Sequence, residues 1–187
     1  MDRYNIKWTR LQSEIFKFLC IRAGQNLNLR EIARLLKRSP TAVSKALEGI
    51  EKENLIKVKK MNNIKMLSIE FNRDNERSIE LKRVENLKLI YESGLAKFLE
   101  ETFSGATVIL FGSYSRGDDI WAMNEEHRSD IDIAIIGVKS KEINLAEFDK
   151  KLERTIIINF YHSFKEIHKH LKDNILNGII LSGGVDL

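Results

Sequence analysis

The stretch that most constrains this chain lies between residues 106 and 136. Thr107-Val108-Ile109-Leu110-Phe111 is an unbroken apolar run rich in β-branched residues, the composition of a buried strand, and it stops at Gly112-Ser113, where the chain must turn. Tyr114-Ser115-Arg116-Gly117 and a polar stretch follow. A second run of the same kind is then reached, Ser129-Asp130-Ile131-Asp132-Ile133-Ala134-Ile135-Ile136. A glycine and a serine between a strand and a helix offer backbone amides and a hydroxyl to a phosphate, because a helix N-terminus carries unpaired N–H groups and partial positive charge. Arg116 adds a positive fork. Asp130 and Asp132 are two residues apart on a strand, so they project from one face about 6.5–7 Å apart along the chain, while Ile131, Ile133 and Ile135 face the core. Two carboxylates on one strand face suit magnesium or manganese, hard cations that take oxygen ligands and keep positions for phosphate oxygens.

An Asp-x-Asp alone, or a Gly-Ser after a strand alone, is common. In this order they resemble the polymerase-beta-type nucleotidyltransferase superfamily, particularly its minimal single-domain branch, whose members show a Gly-Ser-x-x-Arg-Gly turn followed by an Asp-x-Asp strand. The resemblance covers roughly residues 106–181. It implies that Gly112 and Ser113 contact nucleotide phosphates, with Arg116 beside them, and that Asp130 and Asp132 are catalytic residues that ligate the metal ions. A nucleoside triphosphate (NTP) is the implied substrate or ligand. The chain departs from the family pattern twice. Sixteen residues separate Ser113 from Asp130, which points to an insertion around 119–127. The third carboxylate that the resemblance implies on the next strand is missing, since Thr155-Ile156-Ile157-Ile158-Asn159-Phe160 contains no acid and Asn159 is its only interior polar group. An amide oxygen coordinates a hard cation weakly and cannot accept a proton. Asp118, Asp119, Glu125 and Glu126 in the insertion, and His162 beyond the strand, are the candidate substitutes; each also reads as an ordinary loop charge or surface imidazole.

The charge balance divides the chain. Residues 1–71 hold 15 Lys and Arg against 7 Asp and Glu, whereas the remaining 116 hold 16 against 20. A basic first third suits a polyanion such as nucleic acid. Its sequence reads as three helices and a hairpin. Leu11, Ile15, Phe18 and Leu19 recur at helical spacing over 8–23 before Gly24; Asn28 and Glu31 form a capping box opening a helix through Lys37; Ser39-Pro40 starts a third, carrying Val43, Ala46, Leu47 and Ile50, to about Glu53. The period then changes to two around Ile56 and Val58, with Asn62-Asn63 as a turn before the run to Phe71. This order resembles the MarR-like winged helix-turn-helix domains, with 39–53 as the recognition helix. Arg38, Thr41, Ser44 and Lys45 would face base edges, while the wing residues Lys57, Lys59, Lys60 and Lys65 would meet phosphates. A lysine-rich hairpin is also how an ordinary edge strand protects itself.

Between these parts, residues 73–103 contain no proline and carry Val84, Leu87, Tyr91, Leu95 and Phe98 at spacings of three and four, interrupted in propensity by Gly94. The expectation is a long connecting helix whose stripe packs in its own chain or against a second copy as a homodimer. Near the C-terminus, Phe164, Ile167, His168 and Leu171 read as a covering helix and 179–181 as a last strand; His168 and His170 diverge and are structural. The single cysteine, Cys20, excludes an internal disulfide and cysteine-based zinc sites. No apolar run reaches membrane-spanning length, and the first residues lack the apolar core of a secretory signal, so a cytoplasmic location is expected.

The expected class is α+β, with a winged-helix DNA-binding domain at 1–72, a connecting helix at 73–103 and a nucleotidyltransferase-like mixed sheet with flanking helices at 104–187. Two functions compete. One is metal-dependent transfer of a nucleotide from an NTP to a protein or nucleic-acid hydroxyl. The other is a DNA-binding transcription regulator whose nucleotidyltransferase fold is catalytically inactive and binds nucleotide or mediates assembly. The Asp pair favours the first and the missing acid the second; a third reading has the basic domain hold RNA.

Overall fold

The computed structural model describes residues 7–60 and 67–185. They divide into two compact units, one running to Ile79 and including Ile120–Ala122, the other comprising Glu80–Asp119 and the residues from Met123 onward. The expected turn at Asn62-Asn63 and the wing residue Lys65 lie outside the described residues.

The first unit is built by local capping around one apolar core. Helix α1 (Arg10–Ile21) starts at Thr9, whose hydroxyl accepts from the Gln12 N–H while the Gln12 amide oxygen accepts from the Thr9 N–H, 2.9 Å away. Helix α2 (Leu29–Leu35) carries the expected capping box, with Glu31 N–H to Asn28 Oδ1 at 2.9 Å and Asn28 N–H to Glu31 Oε2 at 2.7 Å. It stops two residues short of Lys37, which takes a positive φ of 53° and turns the chain toward the next cap. There Ser39 accepts from Ala42 N–H at 3.2 Å and Pro40 opens α3 (Pro40–Lys52). Ile15, Phe16, Leu19, Cys20, Ile32, Val43 and Ile50 are buried at 3% exposure or less.

A short strand, β1 (Leu27–Asn28), precedes α2 and pairs antiparallel with β3 (Leu67–Phe71), which also pairs with β2 (Ile56–Lys60), giving the order β1-β3-β2. Three helices with this small antiparallel sheet form a winged helix-turn-helix. The two-residue strand was not expected from sequence: Asn28 ends it and caps α2 at once. Ile120–Ala122 completes the unit, with the Trp121 N–H donating to the Ala23 carbonyl at 2.7 Å.

The expected helix over 73–103 is two helices, α4 (Glu76–Ser93) and α5 (Leu95–Thr102), because Gly94 adopts a left-handed φ of 84°. The expected apolar stripe is also corrected. Val84 and Tyr91 are 61% and 53% exposed, whereas Ser78, Lys82, Asn86 and Ile90, each four residues after the last, are buried. Four-residue spacing stacks side chains on one helix face, so three polar residues occupy the inward face of α4.

In the second unit, β4 (Thr107–Phe111) is followed by α6 (Gly112–Arg116), β5 (Ile131–Ile136), α7 (Ala146–Leu152), β6 (Ile156–Tyr161), α8 (Lys169–Leu176) and β7 (Ile179–Ser182). The sheet order is β6-β5-β4-β7, with β5 and β6 parallel and the other pairs antiparallel. Every residue of β4 is buried. One face, through Ile109, Phe111, Ala134 and Ile136, packs on Phe164, Ile167 and Ile175. From the other, Phe160 meets Phe103 edge-on with ring centroids 5.4 Å apart. The expected covering helix is a 3-10 turn at Phe164–Glu166 and then α8. His168 precedes α8 instead of lying in it, and its ring stands 5.5 Å from that of His170, so the pair does not diverge as expected. Among the described residues, no helix is long and apolar enough to cross a membrane.

Candidate functional site

The turn after β4 and the Asp pair come together at the end of the sheet. Register places Phe111 opposite Asp132, so the chain leaving β4 starts beside that carboxylate. Gly112 then takes a φ of 76°, and a Cβ added there would overlap the Asp132 carboxylate. Glycine is therefore required twice, by backbone conformation and by space. Ser115 Oγ–H donates to the Gly112 carbonyl at 2.9 Å, the Asp118 N–H donates to the Ser113 carbonyl at 3.0 Å, and Gly117, at φ 80°, ends α6. Ser113 is half-buried and Arg116 exposed, both on this one-turn helix.

Asp132 is half-buried within β5, whereas Asp130 is exposed one residue before the strand begins. Burial holds the Asp132 carboxyl above the usual carboxylate range, the Asp130 charge pushes it the same way, and Arg116 opposes them. Gly112, Arg116, Asp130 and Asp132 therefore share one environment. Two mutually repelling carboxylates, one partly desolvated, are a donor set that a divalent cation relieves; the residues present fit such an ion.

Strand register sets Asn159 away from the residue that adjoins Asp132. Asp132 pairs with Ile157, and Asn159 stands beside Ala134, one full repeat further along. The β6 position adjoining Asp132 is thus occupied by an isoleucine, 39% exposed. Among the described residues no three His, Cys, Asp or Glu side chains cluster so as to hold a metal.

The insertion supplies a different structure from the one expected. Asp119 is 1% exposed and is neither a loop charge nor a spare ligand. Its Oδ1 accepts from Lys82 and from Asn86 Nδ2, the latter at 2.7 Å, and its Oδ2 accepts from Arg154 Nη2 at 2.9 Å. Asn86 Nδ2 also donates to the Tyr114 carbonyl inside α6 at 2.9 Å. Lys82 and Arg154 are themselves buried. Asp118 lies against Arg116, Nε to Oδ2 3.1 Å, with both half exposed. Glu126 and His162 are exposed, and the side chain of Glu125 is outside the described set. Sequence reasoning missed Lys82, Asn86 and Arg154. The available signal was Ser78, Lys82 and Asn86 recurring every four residues in a helix whose opposite face carries apolar groups.

In the first unit, Thr41, Ser44 and Lys45 line a shallow hollow of about 420 Å³ at the start of α3 with Leu29, Pro40 and Glu48. Three of the expected cations are paired with acids. Arg38 Nη2 is 2.8 Å from Glu14, Lys59 is 3.1 Å from Glu70, and Lys57 pairs with Asp74. Arg38, with Arg10, lowers the Glu14 pKa, and Lys57 lowers that of Asp74. These pairs are at the surface, where solvent screens them.

Residues 92–182 match the family model described as the nucleotidyltransferase domain. Comparison with curated proteins returned no match. Among solved structures, the chain is similar to Lactococcus lactis ZitR, a zinc-responsive MarR family member, with 28% identity over 52% of this chain and 62% of that one at a TM-score of 0.39. It is also similar to the adhesin competence repressor AdcR of Streptococcus pyogenes, with 20% identity over 55% and 72% and a TM-score of 0.42. A DNA complex of S. aureus MepR matches at 18% identity over 52% and 79%, with a TM-score of 0.37. The chain spans less than two thirds of the length of ZitR.

Proposed function

We propose that this chain is a nucleotide-responsive DNA-binding regulator whose nucleotidyltransferase domain holds an NTP without transferring it efficiently. The observation that carries this reading is Ile157 beside Asp132. A two-metal displacement needs carboxylates enough to clamp two ions about 3.5–4 Å apart and to activate the attacking hydroxyl, and an isoleucine does neither. Asp130 and Asp132 would hold one magnesium or manganese ion, whose positive charge would offset that of the triphosphate. The amides and hydroxyl of Gly112 and Ser113 bind phosphate oxygens, and Arg116 exchanges its Asp118 partner for phosphate. Arg38, Thr41, Ser44 and Lys45 meet base edges, and Lys57 and Lys59 meet the DNA backbone.

The close approach of Gly112 to Asp132 supports a second reading, nucleotidyl transfer to a protein or nucleic-acid hydroxyl, because a turn read as phosphate-binding then lies against a carboxylate read as a metal ligand. One experiment separates them. Purified protein is incubated with each labelled NTP and magnesium or manganese, with cell extract as acceptor. The expected result is label retained by the protein, removed by EDTA or excess unlabelled NTP, and lost in Asp130→Asn and Asp132→Asn. Label transferred covalently, and lost in the same variants, would establish the enzyme instead. No retention at all would overturn both readings.

A further inference from the structure

We infer that Asp119, fastened by Lys82, Asn86 and Arg154, is the positioning residue of the nucleotide turn; this rests on the nucleotide-binding reading above. Helix α6 has only five residues, too few to persist by its own hydrogen bonds, so its orientation must be imposed from outside. The bonds of the cluster end where that imposition is needed. Asn86 holds the Tyr114 carbonyl in the middle of α6 and, through the same nitrogen, Asp119, two residues past the glycine that ends α6. Lys82 lies one helical turn before Asn86 on α4 and pairs with the same Asp119 oxygen. Arg154 approaches Asp119 from the segment leading into β6. The next residue, Thr155, accepts from the Ile131 N–H at 2.8 Å, between Asp130 and Asp132. One buried carboxylate thereby joins α4, the phosphate turn and the segment adjoining the metal-binding strand.

The chemistry of the cluster argues against a purely space-filling role. Removing a carboxylate, an ammonium and a guanidinium from water is costly, and apolar side chains of equal volume would fill the same space at no such cost. What ions and a forked amide supply, and apolar groups do not, is a directional constraint on where the backbone sits. Phosphate and metal sites need their parts held to within about 0.5 Å. The geometry here gives that constraint to Gly112 and Ser113 relative to Asp130 and Asp132, although all four cluster residues are themselves buried.

The test compares wild type, Asp119→Asn, Asn86→Ala and Leu99→Ala for binding of manganese with whichever NTP wild type binds most tightly. Leu99 is a fully buried core residue of the same unit, on α5 and outside the cluster, so its truncation lowers stability without loosening the turn. All measurements are made at a temperature where circular dichroism shows the variant folded. Asn86→Ala leaves both ion pairs of Asp119 in place and decides the question even where Asp119→Asn does not fold. The expected result is at least a tenfold loss of affinity in Asn86→Ala, with Leu99→Ala within twofold of wild type. Equal affinity in Asn86→Ala and wild type, or equal losses in Asn86→Ala and Leu99→Ala, would overturn this inference while leaving nucleotide binding intact. A wild type that binds no NTP overturns both.

Discussion

Replacing Gly112 by alanine tests the closest approach in the candidate site. At a φ of 76°, alanine pays the left-handed penalty of about 1–2 kcal/mol. The new Cβ would also overlap the Asp132 carboxylate, with Cγ and Cβ of Asp132 at 3.2 and 3.3 Å. Turning the carboxylate away relieves the overlap only in part, and overpacking of this kind adds about 1–3 kcal/mol. The sum is centred on ~3.5 kcal/mol, and for a chain of this length each kcal/mol lowers Tm by about 2–4 °C, so a fall of about 7–14 °C is expected. Gly105 and Gly137 provide the controls, because both have positive φ, 84° and 98°, and neither would bring a Cβ within 4 Å of another group. Their alanine variants pay the backbone penalty alone. Thermal denaturation of the three variants isolates the overlap, and a double-mutant cycle with Asp132→Ala should return about 1–3 kcal/mol of coupling. Equal Tm values for Gly112→Ala and the controls, or additivity in the cycle, would refute the proposed contact.

Asp119→Asn removes an ionic partner from two buried cations at once and should cost about 3–5 kcal/mol in denaturant unfolding, whereas Lys82→Met leaves Asp119 paired with Arg154 and should cost less; the reverse order would contradict the cluster. For Asp132, burial raises the folded pKa above its value in the unfolded chain, so the native state binds its proton more tightly than the unfolded chain does. Its contribution is therefore fully present below that value and is lost as pH rises through the folded pKa. In metal-free buffer Asp132→Asn should be more stable than wild type at neutral pH and equal to it at the acid end, while manganese affinity of wild type rises with pH over the same interval. In DNA retention assays, Lys45→Ala should reduce the dependence of log affinity on log salt by about 0.9, one phosphate contact, with smaller reductions for Lys57→Ala and Lys59→Ala because Asp74 and Glu70 already occupy those ammonium groups. An unchanged salt slope in all three would remove these lysines from the DNA surface.

Chain-local chemistry is legible in the sequence itself. The Asn28–Glu31 box and the Ser39-Pro40 start need only neighbours three residues apart, and both caps form as their sequences require. The buried strand β4 and the turn at Gly112 were equally plain, since five consecutive apolar residues and a following glycine carry their own signal. Register was not legible. Whether Ile157 or Asn159 adjoins Asp132 depends on how β6 pairs with β5, and nothing within the β6 sequence determines that. The α4 face was misread for a related reason. A template that follows apolar residues selects Val84 and Tyr91, but the inward position of Lys82 and Asn86 is fixed by an acid at residue 119, far away in sequence. Two-residue β1 is too short for any periodicity.

Cys20 gives the chain a built-in clock. It is the only thiol in the sequence, it is fully buried, and it belongs to the first unit. Its reaction with an alkylating reagent under native conditions therefore measures how often that unit opens, without interference from the other, which has no thiol to report. Following the labelling rate with DNA or with an NTP present would assign each ligand's protection to a particular part of the molecule, using the natural sequence and no introduced probe.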